Sequence, residues 1–277
     1  MIRAPLRPES VGEPAARAGA WASVALAPQL RAAPRTAHVL GASRHVVWCA
    51  LDDEVVLLTS HESVRFPNGI VASGGWGGLA PGDEVSIGDV AVFDDIAEWW
   101  VLRWWDPRVS PNDAVRDDVL ERVARIEERA PSGRISPLRE ALASVDPSAI
   151  TERASEMLGG GAGLTPEGDD RLMGAVAAFR HVAGSLGRPA TVTMLDQTSG
   201  ELVALARSST TSLSATLLRH ALVGEVAAPV GHLLQALTGR GELASALDGC
   251  LAIGSSSGQA LAEGVVCGAQ AACEVAA

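Results

Sequence analysis

Hydrophobic and polar positions divide this chain into two regimes. Across residues 36–95, short apolar or β-branched runs at 37–40, 45–51, 54–59, 85–87 and 90–93 are cut by turn signals, which predicts strands. Leu51-Asp52-Asp53-Glu54 reads as a hairpin turn between two of them. Pro67-Asn68-Gly69 and Pro81-Gly82-Asp83 are turns with a mechanism: Pro presets φ, and Asn and Gly accept the left-handed region. Regular short strands of this kind predict a small antiparallel sheet or barrel.

From Ser110 the spacing becomes helical. Val115, Val119, Val123 and Ile126 lie on one face, with Ser110 as cap, Pro111 at the first helical position and Asp113 in the first turn. Further apolar stretches predict helices over 136–158, 169–186, 198–208, 212–223, 226–238, 242–252 and 257–274. The expected fold class is therefore α+β: a small N-terminal antiparallel β module, residues 1–110, followed by a larger all-α helical module, residues 111–277. Segment 18–27 faintly resembles a signal-peptide core. It is short, weakly apolar and preceded by Glu9, Glu13 and Pro14, so it reads as an amphipathic helix or arm.

Composition narrows the chemistry. The 277 residues carry a net charge of −11 without a basic run, which argues against nucleic acid or an anionic membrane as partner. All 22 basic residues are Arg, so mechanisms that need a lysine Schiff base or a P-loop lysine are excluded. Cys49, Cys250, Cys267 and Cys273 form no CxxC pair, and the six histidines make no metal pattern. Free thiols in a reducing, cytoplasmic setting are the simpler reading. His220 and His232 fall on predicted helices and read as core or surface residues. No span approaches the roughly 20 apolar residues that cross a bilayer.

The strongest candidate for chemistry is the run Gly159-Gly160-Gly161-Ala162-Gly163-Leu164-Thr165-Pro166-Glu167-Gly168-Asp169-Asp170, followed at once by an apolar, Ala-rich stretch. Thr165 is positioned to cap a helix with Pro166 at its first position. The string lacks the Walker lysine, and no clear strand precedes it as a dinucleotide fingerprint requires. Clustered amides at a helix N-terminus suit phosphate or carboxylate. Two adjacent carboxylates would repel such an anion unless Mg²⁺ mediates, with Asp169 and Asp170 as metal ligands. Alternatively one Asp acts as a base or accepts hydrogen bonds from an amide substrate, or the segment is a capped helix with a solvated acidic turn.

Two further clusters enter helices: Ser208 to Ser214, including Thr211, Ser212 and Ser214, and Ile253-Gly254-Ser255-Ser256-Ser257-Gly258. Each reads either as capping or as hydroxyls and amides lining a polar pocket. Trp99, Trp100, Trp104 and Trp105 cannot all face one way on a helix or strand. They read as packing between the β module and the chain after it, or as a surface for a partner protein.

These segments, in this order, resemble a bacterial family long catalogued as a domain of unknown function that includes the third subunit of oxamate carbamoyltransferase, from allantoin breakdown. The family string GxGxGLTPxGDDxLxG is carried by Gly159, Gly161, Gly163, Leu164, Thr165, Pro166, Gly168, Asp169, Asp170, Leu172 and Gly174. A second string, IGxSSGxxxxxG, appears as Ile253, Gly254, Ser256, Ser257, Gly258 and Gly264. Thr211, Ser212, Ser214, Leu217, Ala221, Pro67 and Asn68 also fit, so the similarity spans roughly residues 36–270. Two departures stand out: Ala162 where many relatives have Pro, and Ser255 where a His is common.

The resemblance implies a carbamoyltransferase subunit acting on an oxamate-like substrate and carbamoyl phosphate. Its partners would be a small anionic or amide substrate and other enzyme subunits, or a second copy of itself. Thr165, Asp169 and Asp170 are then the catalytic candidates. Gly161, Gly163, Leu164, Gly168, Ser212, Ser214, Ser256, Ser257, Gly258 and Asn68 would bind substrate. The alternatives are a noncatalytic assembly subunit, or a stand-alone small-anion binding protein or hydrolase.

Overall fold

Strand-forming runs in the first hundred residues curl into a closed sheet. The computed structural model describes residues 16–275 apart from 62, 73, 74, 77, 95 and 96; Glu9, Glu13 and Pro14 lie outside the described residues. The chain divides into two compact units, Met1–Asp106 and Pro107–Ala277.

In the first unit the strands are β1 (Ala16–Ser23), β2 (Arg35–Ala42), β3 (Val46–Leu51), β4 (Glu54–Ser60), β5 (Gly69–Ala72), β6 (Glu84–Gly88), β7 (Ala91–Phe93) and β8 (Ala97–Trp105). They close in the order β1-β5-β4-β3-β2-β6-β7-β8, with β8 returning to β1. The β1–β8 and β4–β5 pairs are parallel and the others antiparallel. This corrects the expected arrangement. The sheet is not a small antiparallel module but a closed, mixed barrel of eight strands, and it carries a 3-10 turn (Val24–Leu26) and a short helix α1 (Ala27–Leu30) of its own.

The reason is local. β1 is rich in Ala and Gly, which have weak strand propensity, and it takes most of the segment expected to be helical. All four residues of β5 are buried, so no alternation marks them. The tryptophan block is a strand: Trp99 points into the barrel, its ring centroid 4.8 Å from that of Trp76, while Trp100 faces out. Outer tryptophans are covered in part by arginines, with Arg65 over both Trp21 and Trp105. Leu26 and Leu30 are buried with the inward strand residues in one apolar core.

The second unit holds, among the described residues, α2 (Arg116–Glu127), α3 (Ser136–Ser144), α4 (Pro147–Met157), α5 (Glu167–Ser185), α6 (Pro189–Ser209), α7 (Ser212–Leu222), α8 (Ala228–Leu237), α9 (Leu243–Leu251) and α10 (Ser257–Glu274). The expected helix over 136–158 is two helices, because Val145 turns left-handed and Asp146 caps a new start at Pro147. The expected Ser110–Pro111 start is extended chain, and the helix begins at Arg116 instead. α6 starts at Pro189 rather than near 198.

α5 is buried on nearly every side and packs closely on α10. A Cβ on Gly174 would fall 2.2 Å from the Leu261 carbonyl oxygen, one on Gly264 2.1 Å from that of Arg171, and one on Gly268 2.0 Å from that of Ala175. Contact positions rise together along both helices, so the pair is parallel and both N-termini lie at one end. Arg171 ties that end by bonding Glu263 of α10 at 2.7 Å and Glu167 at 3.1 Å. No helix of the described residues is long and apolar enough to cross a membrane.

Candidate functional site

The parallel pairing of α5 and α10 brings two distant sequence motifs to one place. Thr165 Oγ1, just before α5, lies 3.1 Å from Ser257 Oγ, the first residue of α10. α7 joins them from a third direction: the Thr211 hydroxyl donates to the Leu164 carbonyl at 2.6 Å and accepts from the Ser214 amide at 3.1 Å, while the Ser214 hydroxyl reaches the same carbonyl at 3.5 Å. Three helix N-termini therefore meet, and their partial positive charges are matched by Asp169 and Asp170, 1% and 2% exposed.

The two aspartates have different surroundings. Asp169 Oδ1 accepts the Gly159 amide at 2.7 Å, and Oδ2 accepts the Thr210 hydroxyl. Both its oxygens are thus spent on holding the glycine loop and the end of α6. The hydroxyls of Ser257 and Thr165 lie beside Asp170 and favour its ionised form, yet its Oδ2 is buried without a hydrogen-bond partner. Burial, with Asp169 alongside, pushes its carboxyl up to about 7 against the pull of those hydroxyls and of Arg171. Such a group can hold or release a proton near neutral pH.

The loop itself departs from a simple anion cradle. The amides of Asp169 and Asp170 donate to the Pro166 carbonyl, and that of Gly168 to the Gly160 carbonyl. Gly168 is required because a Cβ there would fall 2.0 Å from the Met157 carbonyl oxygen, and Gly258 likewise because one would fall 2.3 Å from that of Cys250. Their role is close packing. At Gly163, by contrast, φ is +95° and nothing lies within 4 Å of the Cβ position, so this stretch is open to an approaching molecule. Residues 159–164 and 254–256 are exposed, Leu164 by 52%.

Thr165 does not cap α5. The N-cap is Pro166, which has no side-chain hydrogen bond to offer, and the Thr165 hydroxyl turns instead to Ser257 and Asp170. The fold thus gathers Gly161, Gly163, Leu164, Thr165, Gly168, Asp169, Asp170, Ser212, Ser214, Ser256, Ser257 and Gly258 around the starts of three helices. Asn68 belongs to the barrel unit, where it is fully buried and its Nδ2 donates to the Val55 carbonyl at 2.8 Å. Thr210 lies in the hydroxyl cluster 208–214 but was not among the expected catalytic or substrate-binding residues; its hydroxyl on Asp169 depends on where α6 ends, which no motif marks.

Mg²⁺ fits these residues poorly. Both Asp169 oxygens are occupied by donors, and among the described residues no group of three or more His, Cys, Asp or Glu side chains is placed to hold a metal ion. Arg171, the nearest cation in sequence, is engaged by Glu263 and Glu167.

Residues 157–269 match the family model of the oxamate carbamoyltransferase subunit AllH, which bears out the resemblance carried by the two glycine strings over that segment. No curated protein and no solved structure matches the chain.

Proposed function

We propose that this chain is a subunit of a carbamoyltransferase-type enzyme, and that the face formed by the starts of α5, α7 and α10 works on an oxamate-like amide acid and carbamoyl phosphate. The reading starts from the match to the AllH family model. The observation that carries it is Asp170: a buried carboxyl with one unpartnered oxygen, beside two hydroxyls and in the first turn of the helix that follows the exposed stretch 159–164.

In such a transfer the substrate amide nitrogen attacks the carbamoyl carbon. The new C–N bond forms, the C–O bond to phosphate breaks, and the nitrogen loses a proton. An amide nitrogen is a weak nucleophile, so a base poised near neutral pH at that nitrogen lowers the barrier. Asp170 Oδ2 takes this role. The Thr165 and Ser257 hydroxyls, 3.1 Å apart, favour the ionised carboxyl and orient it. Amides of the exposed stretch around Gly163 face the anionic ends of the substrates. Asp169 is a positioning residue, fixing the loop through Gly159 and Thr210. Partners are the other subunits of the enzyme, and the setting is cytoplasmic.

The test is steady-state turnover by the complex reconstituted with Asp170→Asn. Turnover is expected to fall by about 10²–10⁴-fold, while size-exclusion chromatography shows unchanged assembly. Normal turnover with normal assembly overturns the reading in favour of a noncatalytic scaffold.

A further inference from the structure

The far half of α5 lines a cavity of about 160 Å³ that has no part in the glycine-loop face. From Asp170 to Ala177, which lines it, is two helical turns, roughly 10 Å along the axis. Its cover is the extended segment 108–111, which is fixed rather than loose. Val109 N–H donates to the Gly224 carbonyl at 3.0 Å and Val226 N–H to the Pro107 carbonyl at 3.1 Å. Pro111 and Val109 press on the helices beneath so closely that a Cβ on Gly184 or Gly231 would fall 2.7 or 3.2 Å from them.

The polar groups at this cavity are specific. Arg180 donates from Nη1 to Asp196 at 2.5 Å and to the Leu222 carbonyl at 3.1 Å, leaving Nε and Nη2 beyond these bonds. Arg108, paired with Glu225 at 3.0 Å, adds a second positive charge to the rim. His181 is 3% exposed, and its Nε2 lies 3.0 Å from Thr238 Oγ1. The Thr238 hydroxyl gives its one proton to Asn112 Oδ1 at 2.7 Å, so the ring hydrogen sits on Nε2. That leaves the Nδ1 lone pair, which is buried without a hydrogen-bond partner. Burial, offset in part by the carbonyls of Val109 and Leu234, pulls the ring down to about 4, so the ring is neutral across the physiological range. An unsatisfied buried acceptor of this kind costs stability and calls for a donor.

We propose that this cavity is a binding site for a small monocarboxylate that carries a hydroxyl or amide hydrogen. The carboxylate faces Arg180 under the added charge of Arg108, the donor meets His181 Nδ1, and the carbon body rests on Val192, Val223 and Leu234. Asp196 and Glu225 already pair the two guanidiniums, so the rim carries no net positive charge and disfavours a phosphate dianion more than a monoanion, which Arg180 meets through its Nε and Nη2 hydrogens. The site is independent of the chemistry assigned to Asp170.

The experiment is calorimetric titration of the full chain with L-lactate, with propionate and inorganic phosphate as probes that lack the donor or carry the wrong charge. Lactate is expected to bind saturably. Binding should weaken at least about tenfold for either control probe, for Arg180→Gln, and for Val223→Trp or Val192→Phe, which fill the cavity. Asp196→Asn, which breaks the ion pair but keeps the guanidinium, retains lactate, and so does Asp170→Asn. Thermal melts of each variant establish that it is folded. No saturable binding of lactate overturns the proposal. So does equal binding of propionate, undiminished binding by both filled variants, or equal losses in Arg180→Gln and Asp196→Asn.

Discussion

Asp169 and Asp170 are neighbours in sequence whose carboxyls are used for opposite purposes. Asp169 is saturated with donors, whereas Asp170 is buried with an oxygen to spare and binds its proton up to about 7, against 3.8 for the ordinary side chain. The folded chain therefore holds more protons than the unfolded chain between about pH 4 and 7. Its stability falls as pH rises through that window and stays lower above it. Asn at this position has no proton to lose. Asp170→Asn is expected to be more stable than the parent at pH 8, by roughly 1–3 kcal/mol, and to have no such advantage at pH 5. Chemical denaturation at the two pH values checks this; a parent whose stability is flat across the window contradicts it. The adjacency of the acids and the small residues around them were readable in the sequence. That one acid is consumed by Gly159 and Thr210 was not, because both bonds depend on how the loop folds back.

The α5–α10 pair is the element that makes the site, and its glycines do the positioning. Gly264→Ala would drive a methyl into the Arg171 carbonyl at 2.1 Å, with backbone rather than a flexible side chain in the way. A loss of about 2–4 kcal/mol is expected, with a melting temperature lower by roughly 5–12 °C. Gly200→Ala gives the opposite sign. Gly200 is exposed within α6 with nothing within 4 Å of its Cβ position, so the change should stabilise by up to about 1 kcal/mol. Differential scanning calorimetry separates the two. Helices that start at hydroxyl-rich clusters, α7 and α10, were legible because Ser and Thr mark such starts. The cap of α5 was not, since Thr165 spends its hydroxyl across the chain on Ser257. Nor was the break between α3 and α4, because apolar spacing continues through Val145.

On the scale of the whole chain, two separate apolar cores correspond to the two compact units. Strand character in the first was legible from turn signals. Closure was not, because it rests on strands that carry little pattern: an Ala- and Gly-rich β1 and a fully buried β5. Separate cores predict that Met1–Asp106 and Pro107–Ala277, expressed apart, each fold, as circular dichroism melts would show. The thiols allow the intact chain to be followed unit by unit. Burial pushes Cys49 in the barrel and Cys250 and Cys267 in the helical unit up to about 12, so alkylation should proceed only on opening. Peptide mapping of the labelled product is expected to give Cys49 a rate distinct from the other two.

The barrel is sealed by the pairing of its first strand with its last, Ala16 beside Ala97, and α5 must likewise wait for α10. On the ribosome, then, the opening strand emerges long before its parallel neighbour exists, and it stays sticky until nearly the whole unit has been translated. Slow codons or a holding chaperone would matter most near the ends of the two units, where synthesis delivers the segments that let each one shut.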